Sequence, residues 1–395
     1  MNILFFATAP SNEYQKIASF IFARIKELQN AGHRVTVLQR GNISIGFPNT
    51  NFFSLGGLKK IIGYFYKLVF CRNNILEVYE KDNVKYNYYN RLFFSSYKNF
   101  NKWYHENQFD FIHAHFLWSC NALPEIKKMC KIRYIVSVHG SDIHTDPYES
   151  EKARLFAKNI LDCADGVFFV SLFLQKKAFE LGYRKDNYLV TGNGYFNDIF
   201  FLKDKKPLDK NKVLLGYIGN PVEIKRFDIL PDVLYEVKKQ FPNTKLLCIG
   251  STTTDVDLRD KVKKRLTELN IYDSVEFIDK VPYYEVADYM RRMDILLLPS
   301  KMEGFGCVAL EAQACGTPVI ASANGGIPEA TGNIGLCVKE SDNFIYDFAC
   351  KVIKKKKKPL DIKTIVAASY GRTWKAVVEK EIEGYEKFIR MGKQQ

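Results

Sequence analysis

The stretch Leu298 to Ala330, LPSKMEGFGCVALEAQACGTPVIASANGGIPEA, decides how this chain reads. Just ahead of it Asp294-Ile295-Leu296-Leu297-Leu298-Pro299 is a short apolar run closed by a proline, the pattern of a buried strand. Gly304 and Gly306 follow, and without a Cβ they let the backbone turn tightly and approach a ligand. Cys307 to Ala314 reads as a helix ended by Gly316, and Pro318 to Ser322 as the next strand. Gly325-Gly326 before Ile327-Pro328-Glu329 opens a second loop on the same side. Two carboxylates, Glu303 and Glu311, flank the helix start. Amides at a helix start favour an anion, and a carboxylate accepts hydrogen bonds from adjacent hydroxyls, so the loop reads as a sugar-nucleotide site.

Upstream, LLGYIGNPVEIKRFDIL (residues 214–230) runs from a strand at Val213 to Ile218 into a loop at Gly219, with a helix expected from about Arg226-Phe227. Lys225 and Arg226 are its cations, suited to charge that develops on a leaving diphosphate. Further upstream, DFIHAHFLWSCNALPEIKKMCKIRYIVSVHGSDI (residues 110–143) gives one strand ending in His113-Ala114-His115 and another ending at Ser137-Val138-His139-Gly140-Ser141-Asp142. Side chains at the carboxyl ends of parallel strands sit where open α/β sheets bind ligands. The spacing of His113 and His115 could suit a metal, but no third ligand is near in sequence, and they read as structural or acceptor-side residues.

Glu303, Glu311 and the residues between and around them resemble the E-x7-E signature of the large group 1, family four of retaining, sugar-nucleotide-dependent glycosyltransferases with the GT-B fold. That family's pattern runs PS-x-x-EGFG-x-x-x-LEA-x-A-x-G-x-PV and then GG-x-PE, and the chain reproduces nearly all of it. The resemblance implies an α/β protein of two Rossmann-like, doubly wound parallel-sheet domains facing a cleft. It implies catalytic roles for His139, Glu303 and Lys225: Glu303 holds the donor sugar, and His139 matches the His of a Thr/Ser-x-His-x-x-Asp segment that lies against that sugar. Glu311 takes the ribose, and the amides of Gly304, Phe305 and Gly306 lie beside the diphosphate or sugar.

The chain departs from the family at two places. Members usually show Gly-Arg and then Lys-Gly around the catalytic lysine; Gly219 and Lys225 keep that spacing, but Asn220 stands where the Arg is expected and Arg226 where the second Gly is. Arg226 either restores the missing charge or is a solvated helix-start residue, and the value of clustered cations at a diphosphate favours the first. Many members carry a glycine pair after the first strand, whereas this chain has Ala9-Pro10-Ser11-Asn12, so a phosphate contact there would use the amides of Ser11 and Asn12. The resemblance implies no cofactor and no metal, with UDP as the favoured nucleotide.

With 395 residues, the chain exceeds what one core usually supports, and strands alternate with helices throughout. Strands are expected near 2–7, 34–39, 110–115, 133–138, 166–170 and 187–191, then near 213–218, 245–250, 274–278, 294–298 and 318–322. We read residues 1–200 as an acceptor-side domain, 201–372 as the nucleotide-sugar domain, and 373–395 as a helix crossing back to the first. The joint falls in the polar, Lys-rich segment Asn193 to Lys212. Met1 to Ala9 has no basic residue before a very short apolar core and reads as the first strand, not a signal peptide. No run of 18 apolar residues exists, and nine scattered cysteines without a C-x-x-C pair fit a reducing cytoplasm.

Of the net charge of +14, residues 1–205 carry +9, from 27 basic against 18 acidic side chains. Leu58, Ile61, Ile62, Phe65, Leu68 and Val69 form one helical stripe flanked by Lys59, Lys60 and Lys67. Residues 58–70 thus suit an anionic membrane surface at the inner face, or else pack into the core. Lys354 to Lys358 reads as a solvated segment or a second electrostatic contact. The expected partners are a nucleotide-sugar donor and a glycan or lipid-linked acceptor of cell-surface polysaccharide synthesis. Two other classes compete: a nucleotide-sugar 2-epimerase with a similar cleft, against which the EGFG-x-x-x-LEA block speaks, and a nucleic-acid binder suggested by charge alone, without a recognised motif.

Overall fold

Apolar runs buried on both faces lead the architecture. The computed structural model describes residues 1–7, 19–40, 75–81, 84–89, 97–203, 212–332, 334 and 336–391. The first half holds β1 (Asn2–Ala7), β2 (Arg34–Arg40), β3 (Ile75–Lys81), β4 (Val84–Tyr89), β5 (Phe111–His115), β6 (Tyr134–Val138), β7 (Gly166–Phe169) and β8 (Tyr188–Val190) in one sheet of order β3-β4-β2-β1-β5-β6-β7-β8. The second half holds β9 (Val213–Ile218), β10 (Thr244–Ile249), β11 (Val275–Ile278), β12 (Ile295–Leu298), β13 (Val319–Ser322) and β14 (Cys337–Val338), in the order β11-β10-β9-β12-β13-β14. Every residue of β5, β6, β12 and β13 is buried, as parallel strands covered by helices on both faces require.

In both sheets the strand order reverses direction at one place, beside β1 and β5 in the first and beside β9 and β12 in the second. Ligand crevices open at the carboxyl ends of strands at such switch points. His115 ends β5, and the segments after β6, β9 and β12 carry His139, Gly219 and Glu303.

Three expectations need correcting. The first sheet is not wholly parallel, because β3 pairs antiparallel with β4 at its edge. Both strands, and the two-residue β14, were absent from the sequence reading. The signal lies in the aromatic, alternating ILEVYEK and VKYNYY runs only two residues apart. No helix begins at Arg226. Two short 3₁₀ turns, Glu223–Lys225 and Phe227–Ile229, flank it, and the helix runs Leu230–Gln240, because Arg226 takes a left-handed φ of 52°. Nor is the lysine run wholly solvated: it ends the helix Phe344–Lys357, and Lys356 is buried against Asp294 and the Lys212 carbonyl.

The helix Trp374–Met391 packs on the first sheet, although the residues before it belong to the second half. Its Tyr385 and Phe388 are at most 1% exposed and join Phe5, Phe111 and Phe168 of β1, β5 and β7. Burial of each such ring is worth roughly 2–3 kcal/mol. No helix among the described residues is long and apolar enough to cross a membrane.

Candidate active site

The loop after β12 and the turn after β9 meet at one ion pair. Lys225 Nζ donates to Glu303 Oε1 at 2.5 Å, and Ser300 Oγ donates to the same oxygen at 3.0 Å. The two loops are also tied by Lys301, whose amide donates to the Ile224 carbonyl and whose Nζ reaches Glu223 at 2.6 Å. Side-chain exposure of 31% for Lys225 and 15% for Glu303 leaves both ends reachable from solvent. A neighbouring phosphate and a sugar hydroxyl can therefore compete for them.

The two positions that depart from the family behave differently. Asn220 is exposed, and its carbonyl accepts from the Tyr217 hydroxyl at 3.0 Å, while Gly219 donates its amide to Ile249 at 3.0 Å. Arg226 is turned to Glu340, with two N–H···O contacts of 2.7 Å each, and its guanidinium lies 4.3 Å from the Phe344 ring centre. Its left-handed backbone explains why a glycine is expected at that place. Its charge is already engaged by Glu340 and is not directed to the Lys225–Glu303 pair.

Across the cleft stands the turn after β6. Asp142, 2% exposed, receives the amides of His139 (3.2 Å) and Gly140 (2.7 Å) on one oxygen and that of Leu117 (3.1 Å) on the other. Burial pushes its carboxyl up to about 6, against the pull of those amides. The Asp of the His-x-x-Asp segment thus builds the turn that presents His139. His139 Nε2 lies 2.9 Å from Nδ1 of His115, with Phe20 and Phe116 packed about its ring. Burial holds both imidazoles well below their ordinary range and therefore neutral. His113 is fully buried between the Tyr385 hydroxyl and Ser137 Oγ, each at 2.7 Å.

Gly304 closes the gap between the halves. A Cβ there would lie 2.0 Å from the His139 carbonyl oxygen, so the close approach that this glycine permits is to the opposite wall of the protein itself. Ser171 Oγ donates to the Gly304 carbonyl at 2.7 Å from the same side. Phe305 is buried, and Gly306 starts the helix Cys307–Ala314 with φ 101°, open only to glycine without strain.

Glu311 sits in that helix, 8% exposed, where its Oε1 accepts from the Tyr283 hydroxyl at 2.5 Å. Burial pushes its carboxyl up to about 7. Glu303 and Glu311 therefore differ in kind: one carries its charge against a lysine, the other sits near neutrality beside a phenol. Ser11, Asn12 and the stripe at 58–70 lie outside the described residues. No cluster of three metal-ligating side chains occurs among the described residues.

Several contacts were missed by sequence reasoning. Tyr283 carries no motif. Glu329, quoted as part of GG-x-PE but given no role, accepts from the amides of Leu172 (2.9 Å) and Phe173 (3.1 Å) at the start of the helix Leu172–Glu180 in the other half. Arg24, fully buried, pairs with Glu381 and reaches Asn193 Oδ1 at 3.0 Å where the halves join.

Comparison with known proteins agrees with this layout. Residues 198–362 match the family profile of glycosyl transferases group 1, and residues 17–195 that of glycosyltransferase family 4. An uncharacterized glycosyltransferase of Methanocaldococcus jannaschii is 30% identical over 236 residues, 59% of this chain and 62% of that protein. The chain covers less than two thirds of the length of the first curated relatives it matches. A sucrose-phosphate synthase from Thermosynechococcus elongatus superposes with TM-score 0.71 at 20% identity, over 99% of each chain. The Anabaena protein HepE in complex with UDP superposes with TM-score 0.74 at 17% identity, over 98% of this chain and 100% of that one. With nearly the whole chain matched by the two profiles in succession, and with two Rossmann-like sheets facing a cleft, the protein belongs to the group 1, family 4 glycosyltransferases of the GT-B fold.

Proposed function

We propose that the chain is a retaining glycosyltransferase that moves a hexose from a nucleotide diphosphate sugar, UDP-sugars favoured, to a glycan or lipid-linked acceptor in cell-surface polysaccharide or glycoconjugate synthesis. The observation that carries this reading is the Lys225–Glu303 contact of 2.5 Å at the mouth of the cleft, with His139 on the facing wall. A donor sugar's hydroxyls take over Glu303, which frees Lys225 to meet the diphosphate. Positive charge placed where the leaving group gains negative charge lowers the barrier, and Lys225 supplies it without a bound metal. Glu311 takes the ribose hydroxyls. The UDP complex of the HepE neighbour supports UDP as the nucleotide. We place the protein at the cytoplasmic face, held peripherally by the basic stripe at 58–70, and vesicle flotation with and without anionic lipid tests that part.

The activity test is release of nucleoside diphosphate from UDP-, GDP-, ADP- and dTDP-hexoses, with and without a chelator, followed by NMR of any glycoside formed. UDP released from a UDP-hexose, unaffected by chelation, with an α-linkage from an α-linked donor, is the expected result. A β-linkage overturns retention. Conversion of the nucleotide sugar without release of the nucleotide makes the protein a 2-epimerase instead.

A further inference from the structure

We infer that Arg226 and Glu340 are positioning residues, a clamp that fixes the turn carrying Lys225 and keeps it in place when Lys225 leaves Glu303 for the diphosphate of the donor. What Lys225 meets rests on the reading under Proposed function; what holds Lys225 rests on the structure. Arg226 has φ 52° and ψ 43°, the left-handed conformation that a residue with a Cβ disfavours. Such a backbone persists only where its surroundings over-determine it. Here Nη1 and Nη2 of Arg226 each donate at 2.7 Å to separate oxygens of Glu340, and the guanidinium lies 4.3 Å from the Phe344 ring centre. A guanidinium fork meets a carboxylate in one plane, so it fixes direction as well as distance.

Glu340 gathers three loops. It stands in the segment after β14, receives Arg226 from the turn after β9, and accepts on Oε1 from Asn324 Nδ2, in the segment after β13, at 2.5 Å. On its other side the turn is tied by the Lys301 amide to the Ile224 carbonyl and by Lys301 Nζ to Glu223. Within it the amides of Lys225 and Arg226 donate to the carbonyls of Val222 and Glu223. Beyond Arg226, Phe227 is 2% exposed and anchors the chain in the core of the second half. Lys225 is thus held between two fixed points, with only Arg226 separating it from the second.

The bond from Lys225 to Glu303 does not do this work during transfer. Sugar hydroxyls and the diphosphate displace it, and from then on the aim of the Lys225 side chain depends on the backbone that carries it. The glycine expected at position 226 accepts either sign of φ and offers no side chain to anchor. With Arg226 in its place the same turn is locked from outside the ion pair. The charge of Arg226 therefore serves the reaction through geometry, by holding Lys225, and not through contact with the donor.

Steady-state release of nucleotide from a UDP-hexose, together with amide hydrogen exchange of the ligand-free protein, tests the clamp. Arg226→Gly suits the left-handed backbone and should fold; it should lower kcat about tenfold with donor KM nearly unchanged, a size typical of coupling between residues in contact. Glu340→Ala should do the same, and the double variant should be no slower than either, because both substitutions remove one clamp. Arg226→Lys, a point charge in place of the fork, should recover only part of the loss. In the ligand-free protein Glu340→Ala should speed exchange of the Lys225 and Arg226 amides about tenfold, as the turn opens more often. Wild-type kcat in either single variant, losses that multiply in the double variant, or unchanged exchange would each overturn the inference. Faster exchange in Glu340→Ala, with a wild type that releases nucleotide from no sugar nucleotide, would support the clamp and defeat the Proposed function instead.

Discussion

Two ion pairs of the same chemistry sit in opposite surroundings. Lys225–Glu303 lies at the mouth of the cleft, at 31% and 15% side-chain exposure. Arg24–Glu381, at 2.7 Å, lies where the returning C-terminal helix crosses the first half, and both side chains are 0% exposed. The buried arginine is also bonded to the carbonyls of Phe20 and Gly192 and to Asn193, and its guanidinium lies 4.9 Å from the Trp374 ring centre. The mouth pair has two bonds to Glu303 Oε1 and solvent around it. An exposed pair contributes little to stability and exchanges partners readily, while a buried one cannot lose a member without stranding a charge. The difference assigns the two pairs separate work: one can open to a ligand, and the other pins the returning C-terminal helix to the first half.

The largest effect should come from breaking the buried pair. Arg24→Ala leaves Glu381 buried without its cation and should reduce unfolding free energy by about 3–5 kcal/mol, read from denaturant titration. Lys225→Ala in the same assay should cost under about 1 kcal/mol. Similar losses in the two variants would erase the distinction between the pairs.

Activity should reverse that order. Lys225→Ala removes the charge that meets the leaving diphosphate, and loss of one such electrostatic stabiliser typically lowers kcat about 10²–10³-fold. Donor KM should move less, because the charge on the leaving oxygen grows chiefly in the transition state. Steady-state kinetics with the donor that releases nucleotide gives both numbers, and a variant with wild-type turnover would remove Lys225 from the chemistry.

How much of this could be read in the chain depended on contiguity. Glu303, Gly304, Gly306 and Glu311 fall in a single strand–loop–helix segment, so their spacing alone places them around one turn. Lys225 was legible because its distance from Gly219 is fixed within one loop. Arg24 and Glu381 are 357 positions apart in two amphipathic helices, where a charged residue in an apolar stripe gives no hint of its partner. Tyr283 meets Glu311 only because the helices Tyr283–Arg292 and Cys307–Ala314 pack against each other. The strained backbone at Arg226 was foreshadowed by a missing glycine, but the capture of its charge by Glu340 depends on the loop after β14, which no local pattern specifies.

Within the cleft the same contrast separates the two glutamates, and pH should sharpen it. The carboxyl of Glu311 is pushed up to about 7, so in the ligand-free protein it is largely protonated below that pH. Ribose hydroxyls are held better by the charged form, so donor affinity should fall about tenfold per pH unit below 7 if ionisation limits binding. The sign for stability is the reverse. A carboxyl whose folded value is raised stabilises the fold most below its ordinary value of 4.5, and that contribution is lost as pH rises through about 7. Glu311→Gln should therefore gain in melting temperature on the wild type between pH 5 and pH 8 while losing donor affinity. Asp142, raised to about 6, titrates in the same direction in both proteins and cancels from the difference. Parallel melting curves for wild type and variant across that range would return Glu311 to an ordinary carboxylate.

The smallest effect belongs to a contact intermediate between the two ion pairs. Glu329 joins the two halves, through a carboxylate on two backbone amides, Leu172 and Phe173, at a helix start and near solvent. Its favourable energy comes from two N–H donors and the positive end of the helix dipole, an effect worth roughly 0.3–1 kcal/mol and weakened by salt. Glu329→Gln keeps the shape and one acceptor oxygen but removes the charge. The expected loss is under about 1 kcal/mol at low salt, shrinking further at high salt. The Arg24→Ala loss should change little with salt over the same range, since a buried pair is poorly screened. Denaturant titrations of both variants at low and high ionic strength make the comparison. A salt-independent loss of several kcal/mol in Glu329→Gln would show that this carboxylate holds one half to the other as firmly as the buried arginine holds the returning helix.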